Sequence, residues 1–442
     1  MPSLRIIAQT VPPESSVAAH ITRGVAEAMP RVIADLSQPL SNDELTPRAA
    51  NESVARVAAR GTAEQINRAL YQAGFTDGLP IVVPTQEAVA AMLRGTDLAP
   101  HTEVARLIPR DGKATVEEIA INGVMAGALP THMPVLIAAA RALANPSSGF
   151  GTASVSTASW APFWVVNGPI RKDINLQDGV GALSPGDMAN AAIGRAINFM
   201  IRNIGGVRKG VEDMGVYGNP MKYTMLMGER EEQSPWAPLA SEQGIAEGAN
   251  ALTLTFPTGF VWHMVRATDA EGILRHVARG LFADGVVTVV FNPTQASTLA
   301  EAGWTKDKIV DYLWTHRRGG GEDLEGSAGG IARGTARGQT SGANRRRTGR
   351  LRYPGGIPFQ PSDKSGVREV ATVQEQSRNE LKIMVGGGTG ALGVAIIRNG
   401  GGFATARTSH SIELPRNWAA LVNEYKDIHP KYRDNCGDGC GF

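Results

Sequence analysis

Cysteine is nearly absent: the 442 residues include 2, both in the last seven positions. Two cysteines cannot build a disulfide scaffold, which excludes a disulfide-dense secreted module. Aromatic residues make up 6% and charged residues 19% of the chain. Neither a coiled coil nor an acidic disordered protein has that composition. No apolar run reaches the ~18 residues of a membrane span. The start, Met1-Pro2-Ser3-Leu4-Arg5-Ile6-Ile7, has no basic region leading into an apolar stretch, so no signal peptide is expected. These absences predict a soluble, cytoplasmic globular protein with no membrane partner. Glycine, by contrast, is abundant, with 52 residues. That is well above the usual ~7% and points to tight turns or to backbone that approaches a ligand closely.

The net charge of +2 is unevenly distributed. Residues 317–352 hold nine Arg, no Lys, ten Gly and three acidic residues, a local +6 that leaves −4 for the rest. The stretch has almost no apolar content and no periodicity, so it reads as a solvated or subunit-bridging arm. Arg-Gly segments also bind phosphate backbones, but interleaved aromatics are missing here, so a nucleic-acid partner is not expected. By composition the chain divides into an N-terminal segment 1–74, a pocket-bearing region 75–250, a βαβα unit 251–316, the Gly/Arg insertion 317–358, and C-terminal strands with a Gly-rich loop and Cys tail, 359–442.

The fold class expected is α/β, with a Gly-rich helical and short-strand region followed by βαβ units and a partly parallel sheet. Thr115-x-x-Glu118 is a capping box ahead of a helix that should stop near Leu129-Pro130. Pro134 suits the first turn of a second helix, to Leu143. A third opens at Ser184-Pro185-Gly186-Asp187 and ends at Gly205-Gly206. Thr268-x-x-Glu271 starts a fourth, and Thr305 caps a fifth that ends at His316. Leu252, Leu254 and Phe256 alternate with Thr253 and Thr255, as on a half-buried strand. Residues 286–291 and 381–385 are continuous apolar runs, as in buried parallel strands. Residues 75–86 and 282–295 share Phe-x-Asp-Gly, a Val-rich run and Pro-Thr-Gln, an echo that two related α/β halves would explain. Ala- and Gly-rich helices at 123–128 and 189–194, together with the Gly-rich arm, predict a homo-oligomer.

The stretch 75–236 resembles a bacterial protein family. The resemblance rests on Asp77-Gly78-Leu79-Pro80, Gly112-Lys113-Ala114-Thr115-Val116-Glu117 and Asn122-Gly123-Val124-Met125-Ala126-Gly127. It also rests on Val166-Asn167-Gly168-Pro169-Ile170-Arg171 and Glu229-x-Glu231-Glu232-x-Ser234-Pro235-Trp236. Members of that family are often encoded beside, or fused to, a small domain with a Cys- or selenocysteine-Gly-Ser-Cys motif. The resemblance implies thiol or selenol chemistry with a partner protein. This chain lacks the Cys-Gly-Ser-Cys motif itself.

Three constellations could carry chemistry. The first is the tail, Asn435-Cys436-Gly437-Asp438-Gly439-Cys440-Gly441-Phe442. It reads as a mobile dithiol, as a transition-metal site completed by His429, or as an inert end with exposed thiols. The second is Gly386-Gly387-Gly388-Thr389-Gly390-Ala391-Leu392-Gly393, which matches G-x-G-x-x-G. The next segment, Val394-Ala395-Ile396-Ile397-Arg398, is too short and β-branched for a dinucleotide-site helix. A strand-to-strand loop is therefore expected, with Gly388 and Gly390 offering N–H groups to an anion. The third is a polar set: Asn122 and Asn167 in apolar surroundings, Arg171 after a Gly-Pro turn, Asp77, and the Glu229, Glu231, Glu232 run. For each of these a structural role competes with a functional one, as it does for His263 and His410. No G-x-S-x-G, H-E-x-x-H or P-loop motif is present. The expected function is an enzyme acting on a small polar molecule by thiol- or metal-linked redox or lyase chemistry. Its expected catalytic residues are Cys436, Cys440, Glu231 and His410. The competing class is a non-catalytic subunit that presents substrate or metal to a partner enzyme, and a nucleic-acid-binding protein acting through the Arg/Gly-rich insertion ranks behind both.

Overall fold

The structure, a computed structural model, describes residues 17–45, 58–281, 286–317, 378–390, 392–398 and 407–430. The chain falls into two units, Met1–Ala58 with Ala336–Gly366, and Ala59–Thr335 with Val367–Phe442. The described part of the first is helix α1 (Ala18–Ser37) and the short α2 (Asn42–Leu45). Only Gly24 and Ala28 of α1 are buried. Residues 59–74, grouped by composition with the N-terminus, pack with the second unit, where Leu70 joins the core.

The second unit opens with α3 (Ala63–Gln72), α4 (Gln86–Leu93), and an antiparallel pair of β1 (Glu103–Leu107) and β2 (Gly112–Thr115). Helix α5 (Val116–Ala126) starts on the expected box: the Thr115 N–H donates to Glu118 Oε2 and the Glu118 N–H to Thr115 Oγ1. It ends earlier than expected, at Gly127, whose φ of +82° a residue with a Cβ would adopt only with strain. Then come α6 (Met133–Ala144), α7 (Phe150–Ala153), β3 (Phe163–Asn167), α8 (Ile170–Asp173), α9 (Met188–Asn203), β4 (Leu226–Gly228), β5 (Ala251–Thr255) and β6 (Gly259–Met264). Helix α10 (Ala270–Gly280) is capped one residue later than expected, by Asp269, whose side chain accepts from the Gly272 N–H. Next are strand β7 (Val287–Phe291), α11 (Pro293–Glu301) and α12 (Lys306–His316, capped by Thr305). Strands β8 (Leu381–Val385), β9 (Gly393–Arg398), β10 (Thr408–Ser411) and α13 (Trp418–Tyr425) complete the order.

The fold is α/β, with two mixed sheets ordered β10-β5-β3-β4 and β6-β9-β7-β8. In each, the last pair is parallel and the other pairs are antiparallel. The sheets pack face to face. Phe163, Val165, Met227, Val290, Met384 and Ile397 form the inner layer. The alternate residues of the same strands face outward under helices. Trp164, Val166, Leu252 and Leu254 meet α5, α6 and α9, while Val289, Phe291, Ile383 and Ile396 meet α10, α11 and α12. Strands covered on both faces are mainly apolar, as in β3, β7 and β8, and their few polar side chains are paired: Arg407 donates to Thr288 Oγ1 and Lys382 pairs with Glu242. The same covering corrects the half-buried expectation for β5: Thr253 and Thr255 are buried, and the Thr253 hydroxyl pairs with Ser409 Oγ at 2.7 Å.

The two sheets are versions of one motif. The Glu229 N–H donates to Val166 O, and the Gly386 N–H donates to Phe291 O. The Ile412 N–H donates to Asn250 O, and the Val265 N–H to Leu392 O. These bonds pair Val166 with Phe291, Asn167 with Asn292, Glu229 with Gly386 and His410 with His263. The sequences 248–254 and 390–396 then align as Gly-Ala-x-small-apolar-x-apolar. The edge strands are exchanged: β6 follows β5 in the chain but pairs in the second sheet, and β10 follows β9 but pairs in the first. The echo seen in the sequence marks different residues, because 81–85 forms no strand and the repeat runs through β3 and β7 instead.

Candidate functional site

The site is built at the carboxyl ends of β3 and β4, where ligands collect in open parallel α/β sheets. Beyond β3 the chain turns through Gly168, at φ +88°. A Cβ there would sit 2.5 Å from Ala249 O. This turn starts α8, which buries Arg171 almost completely. Asn167 Nδ2 donates to Glu229 Oε2 (2.7 Å) and Glu231 Oε1 (2.9 Å), and the Gly168 N–H donates to Glu231 Oε1 (2.7 Å). Arg171 donates through Nε to Gly168 O (3.0 Å), through Nη1 to Asp178 Oδ2 (2.6 Å) and through Nη2 to Glu232 Oε1 (3.1 Å). Its Nη2 is also 3.4 Å from Glu231 Oε2. Lys172 Nζ lies 2.9 Å from Glu232 Oε1. Three carboxyl groups thus gather around one buried guanidinium, with Glu229 next to them behind Asn167.

Environment pushes the protonation of Glu229, Asp178 and Glu232 apart. Glu229 is fully buried, and burial raises its pKa against the pull of Lys306 and of the bonds from Asn167 and the Leu239 N–H. Among the described residues its Oε1 has no hydrogen-bond partner, which an ionised buried carboxylate would tolerate poorly. Burial also raises Asp178, outweighing Arg171 and Arg230. For Glu232 burial acts in the same direction, but Lys172 and Arg171 overcome it and hold the carboxyl at about 2. Carboxyls separated in this way can divide proton donation and acceptance between them.

Beside the cluster lies a cavity of about 560 Å³, within the range of small-molecule sites. Its walls include Met227, Phe260, Trp262, Val290 and the loop 386–390. Asp178 joins the two features, since its carboxylate takes Arg171 while its carbonyl accepts the Gly387 N–H, 2.8 Å. Arg230 Nη1 donates to Gly387 O at 2.9 Å. The repeat explains the opening. In the first half the β4–β5 connection carries Leu239 and Ala240 back into the interior, whereas the β8–β9 connection is only the short glycine loop. That loop leads from strand to strand, as expected, and the dinucleotide reading has no helix to stand on.

Asn167, Arg171, Glu231, Gly388 and Gly390 are therefore brought to one region. The other expected residues are not. Asn122 ties α5 to α9, donating to Glu118 O and accepting from Asn203 Nδ2 at 2.7 Å. Asp77 pairs with Arg195 of α9 through both carboxylate oxygens. His410 sits two strands from Asn167, with Nε2 3.3 Å from Asn145 Nδ2 at the end of α6. Its repeat partner His263 makes the corresponding contact with α10, 2.8 Å from His276 O. His429 lies beside His132 and Asp173. Cys436 and Cys440 fall outside the described residues. Among the described residues no group of three His, Cys, Asp or Glu is placed to hold a metal ion.

Asp178 and Arg230 escaped the sequence reading. The one local signal for Asp178 is its place in Gln177-Asp178-Gly179-Val180-Gly181, seven residues after Arg171. No family model, no curated protein and no solved structure matches this chain.

Proposed function

We propose that this chain is an enzyme that performs acid–base chemistry, of lyase type, on a small molecule held in the cavity beside Arg171. The observation that carries the reading is an apolar cavity whose wall residues Gly179 and Gly387 adjoin Asp178 of the buried Arg–carboxylate cluster. In this reading the apolar body of the substrate lies against Phe260, Trp262 and Val290, and its polar end faces Asp178 and Glu231. These two carboxyls are partly exposed and exchange protons with the substrate, while Arg171 orients them and Glu229, its pKa raised by burial, sits behind Asn167. The thiol or metal chemistry expected of Cys436, Cys440 and His429 rests on the sequence alone.

The test is a thermal-shift screen of small carboxylic acids, amines and hydroxy acids. Hits are followed by quenching of Trp262 fluorescence and by mass spectrometry of the products. Asp178→Asn and Glu231→Gln should each retain binding and lose turnover by about 10²–10⁴. Ligands that bind at Trp262 but never change chemically would favour the presenting-subunit alternative.

A further inference from the structure

A second cavity, of about 580 Å³, lies at the opposite end of the first sheet. Trp160 precedes β3 and Phe256 follows the antiparallel β5, so both stand at the amino end of β3, away from the carboxylate cluster. The floor is aromatic and buried: Phe150 stacks on Phe256 with ring centroids 5.9 Å apart, and Phe199 and Trp160 adjoin them. Trp160 is 3% exposed, and its Nε1–H has no acceptor within hydrogen-bond distance among the described residues. That nitrogen is closed off from the cavity, so the indole contributes its ring to the floor. The outer wall is apolar and open, with Val216 and Tyr217 largely exposed.

The charges at the rim are unbalanced. Asp77 is neutralised by Arg195 and Asp213 by Lys222, whose Nζ is 2.6 Å from Oδ2. Arg202 and Lys209 also line the cavity, and neither has an ion pair among the described residues. An aromatic floor beneath two uncompensated cations defines a complementary molecule.

We infer that this cavity is a binding site for a flat organic anion. Its ring system lies over the floor of Phe150, Trp160 and Phe256, and its negative group faces Arg202 and Lys209. The site is separate from the cluster around Arg171 and does not depend on the function proposed there.

The probe is 6-hydroxy-2-naphthoate, with its neutral amide as control, titrated into the full chain by calorimetry and fluorescence. One-to-one binding is expected, with the acid preferred over the amide. Trp160→Phe, which shrinks the aromatic floor, should weaken acid and amide alike. The double variant Arg202→Gln with Lys209→Gln should weaken the acid about tenfold or more and leave the amide unchanged. The two rim substitutions touch no core residue, so they test the site even if Trp160→Phe lowers stability. Equal affinities across wild type and the rim variant, or no binding to the folded wild type at millimolar probe, would overturn the inference.

Discussion

Arg171 and Glu229 show how much depends on single buried groups. Removing the guanidinium, as in Arg171→Met, leaves Asp178, Glu231 and Glu232 crowded without their common counter-charge. Breaking a buried pair from one side costs about 3–5 kcal/mol, so chemical denaturation should show a loss of that order. Glu229 gives a pH signature of a different kind. Its pKa is raised in the fold, so the folded state holds a proton that the unfolded state releases above about 4.5. Its contribution to stability is complete below that pH and fades as pH rises through the raised value. Glu229→Gln keeps an acceptor for Asn167 and the Leu239 N–H but cannot ionise. Urea melts from pH 5 to pH 8 should therefore show a steeper fall for the wild type than for the variant, and parallel curves would refute the assignment.

Among the elements, the β3–α8 turn sets the site. Gly168 is needed twice, for its positive φ and for its closeness to Ala249 O and Asn250. Gly168→Ala should lower stability by about 1–3 kcal/mol and displace Arg171, visible as a lower Tm together with altered Trp262 fluorescence. The helix signals were legible in the sequence because caps are local: Thr115, Thr305 and the Pro134 turn act on neighbours within four residues. The small residues read as subunit contacts answer to packing within the chain instead. A Cβ at Gly123 would meet Met92 and Leu136, and one at Gly194 would meet Thr224. The oligomer expectation loses that support.

For the molecule, the exchanged strands make the two sheets of the second unit interdependent. The inner layer between them is thin, but β6 and β10 each complete the other half's sheet. Truncation after Arg398 removes β10 and α13, and with them the outer neighbour of β5. It should abolish cooperative unfolding of the first sheet, although most of that sheet lies more than 140 residues upstream. Truncation after Asn435 removes only a Gly-rich end with both cysteines. Its Tm should stay within about a degree of the full chain, because little apolar surface is involved. Loss of turnover in that shorter chain would assign the thiols a part in the chemistry. Circular dichroism melts of the two truncations distinguish these cases. No described helix is long and apolar enough to cross a membrane.

The sequence by itself determined the α/β class, the helix starts capped by Thr115 and Thr305, and the buried strands 287–291 and 381–385. Each of these rests on interactions between near neighbours or on the apolar content of one strand, and both are written locally. Only the tertiary structure decided that Asp178 joins Arg171 and that the loop 386–390 borders the same site. It alone excluded Asn122, Asp77 and His410 from that site and paired β3 with β7 as repeats. Those outcomes depend on which strands become neighbours. Strand order is fixed by the joint burial of residues hundreds of positions apart, which no local pattern encodes.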